Sequence, residues 1–353
     1  MIERLIVKKL NNKTNLDLSF EPDLNLLTGK NGSSKTTILK LIWFLNSGRI
    51  VSLIREIVFE YAELTTSEFR ISIKQDSNSE KISVNFNNDP TWSLSQQDLR
   101  NFEFRMHPRY QKRFHEIQNK SIPTVFFPTF RRIEGGFSMD RHDPRFHSDS
   151  LKDAMNEFSE RLSSFNQKFV ASISTDDIVS LLTKEYAEIN SKINKMQKEK
   201  SDSIIAKIKN RTKDETSILN DIQNDIEGME NERNSLFKPF TILSDLITTI
   251  FQHKGIHLSN LTFGDVSDSV ASEKLSAGEK QMLSFICYNI FTKNSTIFID
   301  EPELSLHPDW QRTLVPTLLN QGNSNQFFMA THSPFIYSKY SDKEIILSND
   351  KGQ

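Results

Sequence analysis

The chain has 353 residues, 25% of them charged and 36% hydrophobic, with a formal net charge of −2. No run of about 18 apolar residues occurs, so no membrane-spanning helix is expected. The single cysteine, Cys287, excludes an internal disulfide and a cysteine-built zinc site. Such a composition suits a cytoplasmic protein with one large α/β domain carrying insertions, or two modest domains, and argues against wholesale coating of nucleic acid.

The N-terminal MIERLIVKKL has no signal-peptide core and alternates like an amphipathic strand. Residues 2–28 predict two or three strands that feed a glycine turn. From Thr36, TTILKLIWFLNSG places apolar residues at helical spacing, with Gly48 as its stop. Strand patterns follow at 68–75 and 81–86, and TVFFPTF (124–130) predicts a short buried strand interrupted by Pro128.

Charge is segregated in the middle of the chain. Between Arg105 and His147 there are nine Lys or Arg, four Asp or Glu and four of the eight histidines, an excess that often marks a contact surface. Within it, FEFRMHPRYQKRFHEIQNK (102–120) reads either as a phosphate-contact surface or as an amphipathic helix facing an acidic partner. RHDPRFH (141–147) invites a metal reading, but no second acidic cluster accompanies it.

Residues 149–240 differ in character. From Leu181 to Leu236 there is no proline and only Gly228, while Ile189, Ile193, Met196, Ile218, Ile222, Ile226 and Met229 recur at helical steps. This predicts a hairpin of two helices of about 25 residues each, turning near KDET. Such a coiled-coil-like insertion either packs on its own domain as a solvated arm or projects toward a partner.

The motifs that carry chemistry lie on either side. GKNGSSKTT is close to the phosphate-loop pattern G-x-x-x-x-G-K-[ST], except that Ser34 stands where the second glycine belongs. Such a loop points backbone N–H groups and a helix N-terminus at phosphates, while its lysine neutralises them and its hydroxyl residue ligates Mg²⁺. Downstream, STIFIDEPELSLHP is an apolar strand ending in Asp300-Glu301. Just before it, Ser276-Ala277-Gly278-Glu279 opens an amphipathic helix, and after it QFFMATHSP ends another apolar strand in Thr331-His332-Ser333.

In this order and spacing the motifs resemble those of the ABC-type ATPase family. GKNGSSKTT resembles its Walker A loop, LSAGE its signature, FIDEPE its Walker B strand, SLHP its D-loop and ATHSP its switch histidine. The resemblance implies an α/β fold: a P-loop NTPase head of ABC type with a mixed central sheet and a helical, coiled-coil-like insertion. The head's first part would be 1–148, the insertion 149–240 and the second part 241–353.

The resemblance also implies ATP and Mg²⁺ as cofactors. Gly29, Lys30, Asn31, Gly32, Ser33, Ser34, Lys35, Thr36 and Thr37 would bind nucleotide, joined by Ser276 and Gly278 from an opposing subunit. Thr36 and Asp300 would hold the metal, with Glu301, His332 and Lys35 as catalytic groups. A homodimer closing over two nucleotides is the implied partner, with higher homo-oligomers open. The split head places the chain near the SMC, RecF and OLD-like branch. No Q-loop glutamine is evident; after TVFFP, Arg131 and Arg132 would approach phosphate or nucleic acid, or pair with Glu134. About 20 residues follow His332, with no room for a nuclease domain, so any cutting is expected from a separate effector. The layout resembles ATPase subunits of anti-phage systems of PARIS or Septu type; a DNA-maintenance ATPase is the alternative. Ser34 either donates to phosphate or crowds it.

Overall fold

The computed structural model describes residues 1–75, 81–87, 89–95, 108–133, 148–164, 166–209, 215–251, 256–258, 261–263, 270–271 and 274–348. Contacts divide the chain into a unit made of Met1–Ser172 with Thr292–Gln353 and a unit made of Ile173–Phe291.

In the first unit, β1 (Ile2–Leu10) and β2 (Thr14–Ser19) form a hairpin, and β3 (Leu24–Thr28) leads into helix α1 (Lys35–Ser47). After a short helix at Ile50–Glu56 come β4 (Tyr61–Thr66), β5 (Arg70–Gln75), β6 (Lys81–Phe86) and β7 (Trp92–Ser95). Helix Pro108–Lys120 precedes β8 (Thr124–Phe127) and the two-residue β9 (Arg132–Ile133). Helix Ser148–Leu162 is followed by β10 (Gln167–Phe169) and the two-residue β11 (Ser172–Ile173). The second unit then contributes β12 (Ile256–Leu258), β13 (Leu261–Phe263) and β14 (Val270–Ala271). The chain returns to the first through β15 (Thr296–Asp300), β16 (Gln326–Ala330) and β17 (Glu344–Ile346).

The mixed pairing expected of one central sheet is divided between two six-stranded sheets. One runs β2-β1-β4-β5-β6-β7 and is antiparallel throughout. Its β5 and β6 alternate buried residues with half-buried or exposed ones, as a sheet with one more open face requires. The other runs β10-β8-β15-β16-β3-β17 and is parallel throughout. Every residue of β3, β8, β15 and β16 is buried, which is why those strands are mostly apolar and do not alternate.

Register across the parallel sheet lines up one row of aromatic rings. Phe169 pairs with Phe126, Phe126 with Phe298, and Phe298 with Phe328. Their ring centroids are 5.6, 5.6 and 5.3 Å apart and the rings stack. Trp43 of α1 rests on this row, 5.5 Å from Phe126 and 5.4 Å from Phe169. The helix that follows the phosphate loop is thus seated on the strands that end beside it.

Helix Pro108–Lys120 buries Tyr110, Phe114 and Ile117, with Tyr110 and Phe114 against Trp92 of β7. These two aromatics therefore pack inward and are not offered to bases. Residues 102–107 and 141–147 lie outside the described residues.

The second unit holds two helices, Thr175–Lys209 and Glu215–Ile250, of 35 and 36 residues. They pack against one another, and Ile189, Ile193 and Met196 of the first and Leu243 and Ile247 of the second are buried. Helix Ala277–Phe291 packs on them, with Phe240 and Phe291 rings 5.1 Å apart. Among the described residues no helix is long and apolar enough to cross a membrane.

The aromatic row gives a direct test. Phe126→Ala removes the ring that touches Trp43, Phe169 and Phe298, and should destabilise the first unit by about 3–5 kcal/mol. The measure is a lower urea midpoint for the Trp43 fluorescence transition.

Candidate nucleotide site

The loop Gly29–Ser34 joins a fully buried strand to a helix, and its backbone is bent where a Cβ is unwelcome. Gly29, Gly32 and Ser34 have φ of 141, 81 and 69°. Ser34 is the N-cap of α1 in the left-handed region, and its side chain makes no capping bond. The glycine expected by the pattern answers this backbone, and serine adopts it at a cost of about 1–2 kcal/mol. Its Oγ accepts a long bond, 3.5 Å, from Asn11 Nδ2 in the β1–β2 turn. The first N–H groups of α1 are left without a side-chain cap, as is usual where a helix N-terminus receives an anion.

Lys35 is 6% exposed, and its ammonium donates to Gly29 O at 3.0 Å and His332 Nε2 at 2.6 Å. An ammonium has only donors, so Nε2 of His332 accepts and the ring is neutral with its proton on Nδ1. Burial and the Lys35 charge both push the His332 pKa below its ordinary value, in agreement with a neutral ring. Burial likewise lowers the Lys35 pKa, against the attraction of Glu301, Asp300 and Glu303.

Asp300 ends β15, is 1% exposed, and accepts a bond from Thr36 Oγ1 at 3.0 Å on Oδ1. Its Oδ2 accepts from Thr129 Oγ1. Burial raises its pKa, opposed by those two hydroxyls. Glu301 follows with φ of 51°, and its Oε1 lies 3.4 Å from His332 Nε2. Burial, and then the neighbouring Glu303 carboxyl, push Glu301 up to about 8. In its ionised form such a group can take a proton from water.

Glu303 binds the segment of residues 331–333. Its carboxylate accepts from Thr331 Oγ1 at 2.8 Å, His332 N at 2.7 Å and Ser333 N at 3.0 Å. Ser333 Oγ in turn donates to Gln311 Oε1. Arg131 is buried and turned to backbone carbonyls rather than to the cleft. The side chain of Arg132, and Glu134, lie outside the described residues.

A cleft of about 340 Å³ opens between these groups, lined by the loop, Lys35, Thr36, Thr37, Glu301, His332 and Asn11. The loop offers N–H donors, an ammonium and the Ser33 hydroxyl, which is buried with no hydrogen-bond partner among the described residues. Beside them Thr36 and Asp300 bring together a hydroxyl and a carboxylate, the hard oxygen donors that Mg²⁺ takes. A polyphosphate with Mg²⁺ fits this donor set. Lys30 and Asn31 belong to the same loop, Lys30 anchored by its N–H on Ser348 Oγ at 3.0 Å. Ser276 and Gly278 belong to the other unit. There Ser276 and Glu279 close a reciprocal capping box at the start of helix Ala277–Phe291.

The sequence reading missed Thr129, Glu303 and Asn11. Glu303 had a signal, a third acid in DEPE, whereas Thr129 and Asn11 had none beyond their polarity.

Residues 24–338 match the family model described as "AAA domain, putative AbiEii toxin, Type IV TA system". The chain belongs to this family. Its fold is that of an ABC-type P-loop ATPase head, and the retron proteins it resembles are described as probable ATPases. It is 23% identical to "Retron Vc95 probable ATPase" of Vibrio cholerae, over 94% of this chain and 70% of that protein. It is 50% identical to "DNA replication and repair protein RecF" of Haemophilus influenzae, over 14% of this chain and 13% of that one. Among solved structures, the Smc head domain with an extended coiled coil from Pyrococcus furiosus aligns at 16% identity with a TM-score of 0.42. That alignment covers 96% of this chain and 91% of the other, a likeness too loose to argue from.

Backbone and side-chain effects separate cleanly in the loop. An added Cβ at Gly32 would meet nothing within 4 Å, so Gly32→Ala tests φ alone. It should destabilise by about 1–2 kcal/mol. Ser34→Gly relieves the same kind of strain and should leave the thermal midpoint unchanged or raised. Thermal melts of both variants check this.

Proposed function

We propose that this chain binds and hydrolyses ATP as a homodimeric switch, closing two heads over two nucleotides to control a separate effector protein in anti-phage defence. The observation that carries the reading is the convergence of Lys35, Thr36, Glu301 and His332 on one cleft, with Asp300 held directly behind it on Thr36. Family membership and the retron ATPase relative support the defence setting. A cytoplasmic location belongs to the same reading, and the paired helices of 175–250 are its candidate arm for partner contact.

In this mechanism the N–H groups of residues 32–36 and the Lys35 ammonium hold the phosphates, with Gly29, Lys30, Asn31 and Thr37 shaping the loop. Thr36 and Asp300 would hold Mg²⁺, which would supply neutralisation of charge on the phosphate oxygens. Glu301, raised toward neutrality, polarises the attacking water. Once Lys35 has turned to the phosphates, His332 Nε2 is free to take up a proton and donate to the terminal phosphate. Ser276 and Gly278 of a second copy close the far side with a helix N-terminus. Positioning and electrostatics do most of the work in phosphoryl transfer, so one head alone is expected to turn over slowly.

A second reading, a DNA-maintenance ATPase, is favoured by the local RecF similarity. DNA-stimulated hydrolysis with a steep salt slope would select it; indifference to DNA, with a toxic effector co-purifying, selects the first.

Glu301→Gln should slow hydrolysis by about 10²–10⁴-fold and trap an ATP-bound dimer, read by light scattering. Lys35→Ala should abolish nucleotide binding. A Glu301→Gln protein that binds ATP and stays monomeric would overturn the closing-dimer mechanism.

A further inference from the structure

The turn that follows β8 reaches across to the end of β15. Ile299 pairs with Phe127, so Pro128 is next to face Asp300, and a proline has no N–H with which to continue the ladder. Arg131 supplies the donors instead. Its Nη1 donates to Asp300 O at 2.7 Å and to Pro128 O at 2.9 Å, and its Nη2 donates to Glu301 O at 2.9 Å. A planar fork can grip two successive carbonyls at once, which a lysine ammonium cannot do in the same way.

Those carbonyls flank a strained residue. Glu301 has φ of 51°, a left-handed backbone that β-strands do not contain and that non-glycine residues adopt only when their surroundings impose it. From one side Glu301 N donates to Ala330 O at 2.8 Å; from the other Arg131 holds its carbonyl. We propose that Arg131 is a positioning residue for Glu301: by clamping the carbonyls of Asp300 and Glu301 it fixes the left-handed turn, and with it the direction in which the Glu301 carboxyl enters the cleft. Arg131 does not line that cleft, so it acts through Glu301 and not on phosphate. It stays protonated at neutral pH although burial lowers it to about 10. The inference rests on the reading of Glu301 as the group that polarises water.

The test uses the full chain with Arg131→Lys and Arg131→Gln, each checked by thermal melting. Steady-state ATP hydrolysis and affinity for a non-hydrolysable ATP analogue are measured. In a folded variant kcat should fall by about 100-fold, the loss expected of a catalytic group displaced by about 1 Å. KM and analogue affinity should stay within about twofold, because binding is not what Arg131 serves. Added to Glu301→Gln, the Arg131 substitution should change residual turnover by no more than about twofold, since it has nothing left to position. Unchanged kcat, affinity that falls in parallel with kcat, or a full additional loss in the Glu301→Gln background each overturns the inference while leaving the role of Glu301 standing. If neither variant folds, Arg131 is a structural residue and the inference is overturned as well. Turnover indifferent to Glu301→Gln alone would overturn the underlying reading, and the inference with it.

Discussion

A carboxylate at the end of a strand buried on both faces must find donors or lose its charge, and Asp300 finds two hydroxyls on separate elements. Thr36 comes from the first turn of α1 and Thr129 from the turn after β8, so one side chain ties the phosphate loop, β15 and the β8 turn together. Burial disfavours the ionised form and the two hydroxyls favour it, which leaves the group sensitive to any cation that arrives between them. The aromatic row beneath makes this joint possible, because Trp43 on Phe126 and Phe169 sets α1 against the strands whose ends carry the chemistry.

Two non-glycine residues at this joint have left-handed backbone, Ser34 before Lys35 and Glu301 after Asp300. Each costs free energy that the surrounding sheet must offset, and each directs a neighbouring functional group. Ser34 turns the chain so that the first amides of α1 face the cleft. Glu301 turns its own carboxyl out of the strand toward His332. Ser34 thus departs from the usual glycine in side chain but not in conformation.

The polar groups behind the cleft link the motifs to one another. Glu303 accepts from the backbone of His332 and Ser333, and Ser333 donates to Gln311 on helix Pro308–Leu319. The segment after Asp300 and the strand end at His332 are therefore tied to one another through Glu303. Movement of His332 away from Lys35 would be felt at that helix.

Local chemistry was legible from the chain alone. A glycine-bent loop between an apolar strand and a helix, acids at one strand end and a histidine at another, depend on nearest neighbours and on burial that any reader can count. The mostly apolar, non-alternating runs of β3, β8, β15 and β16 likewise announce a sheet covered on both faces. Thr129 and Arg131 were not legible in the same way. Their partners lie about 170 positions away, and nothing in FPTFRR says which carbonyl a guanidinium will meet until Phe127 is set beside Ile299. The strands 61–66 and 344–346 were also unmarked, being half-polar edges or neighbours whose pairing comes from register. By itself, then, the sequence determined the strand–loop–helix of the phosphate site and the types of groups that surround it, because those follow from backbone sterics and periodicity. Only the tertiary structure decided that Lys35 meets His332, that Asp300 is shared by two threonines and that an arginine grips the turn at Glu301, because long-range hydrogen bonds are chosen by sheet register and not by adjacent residues.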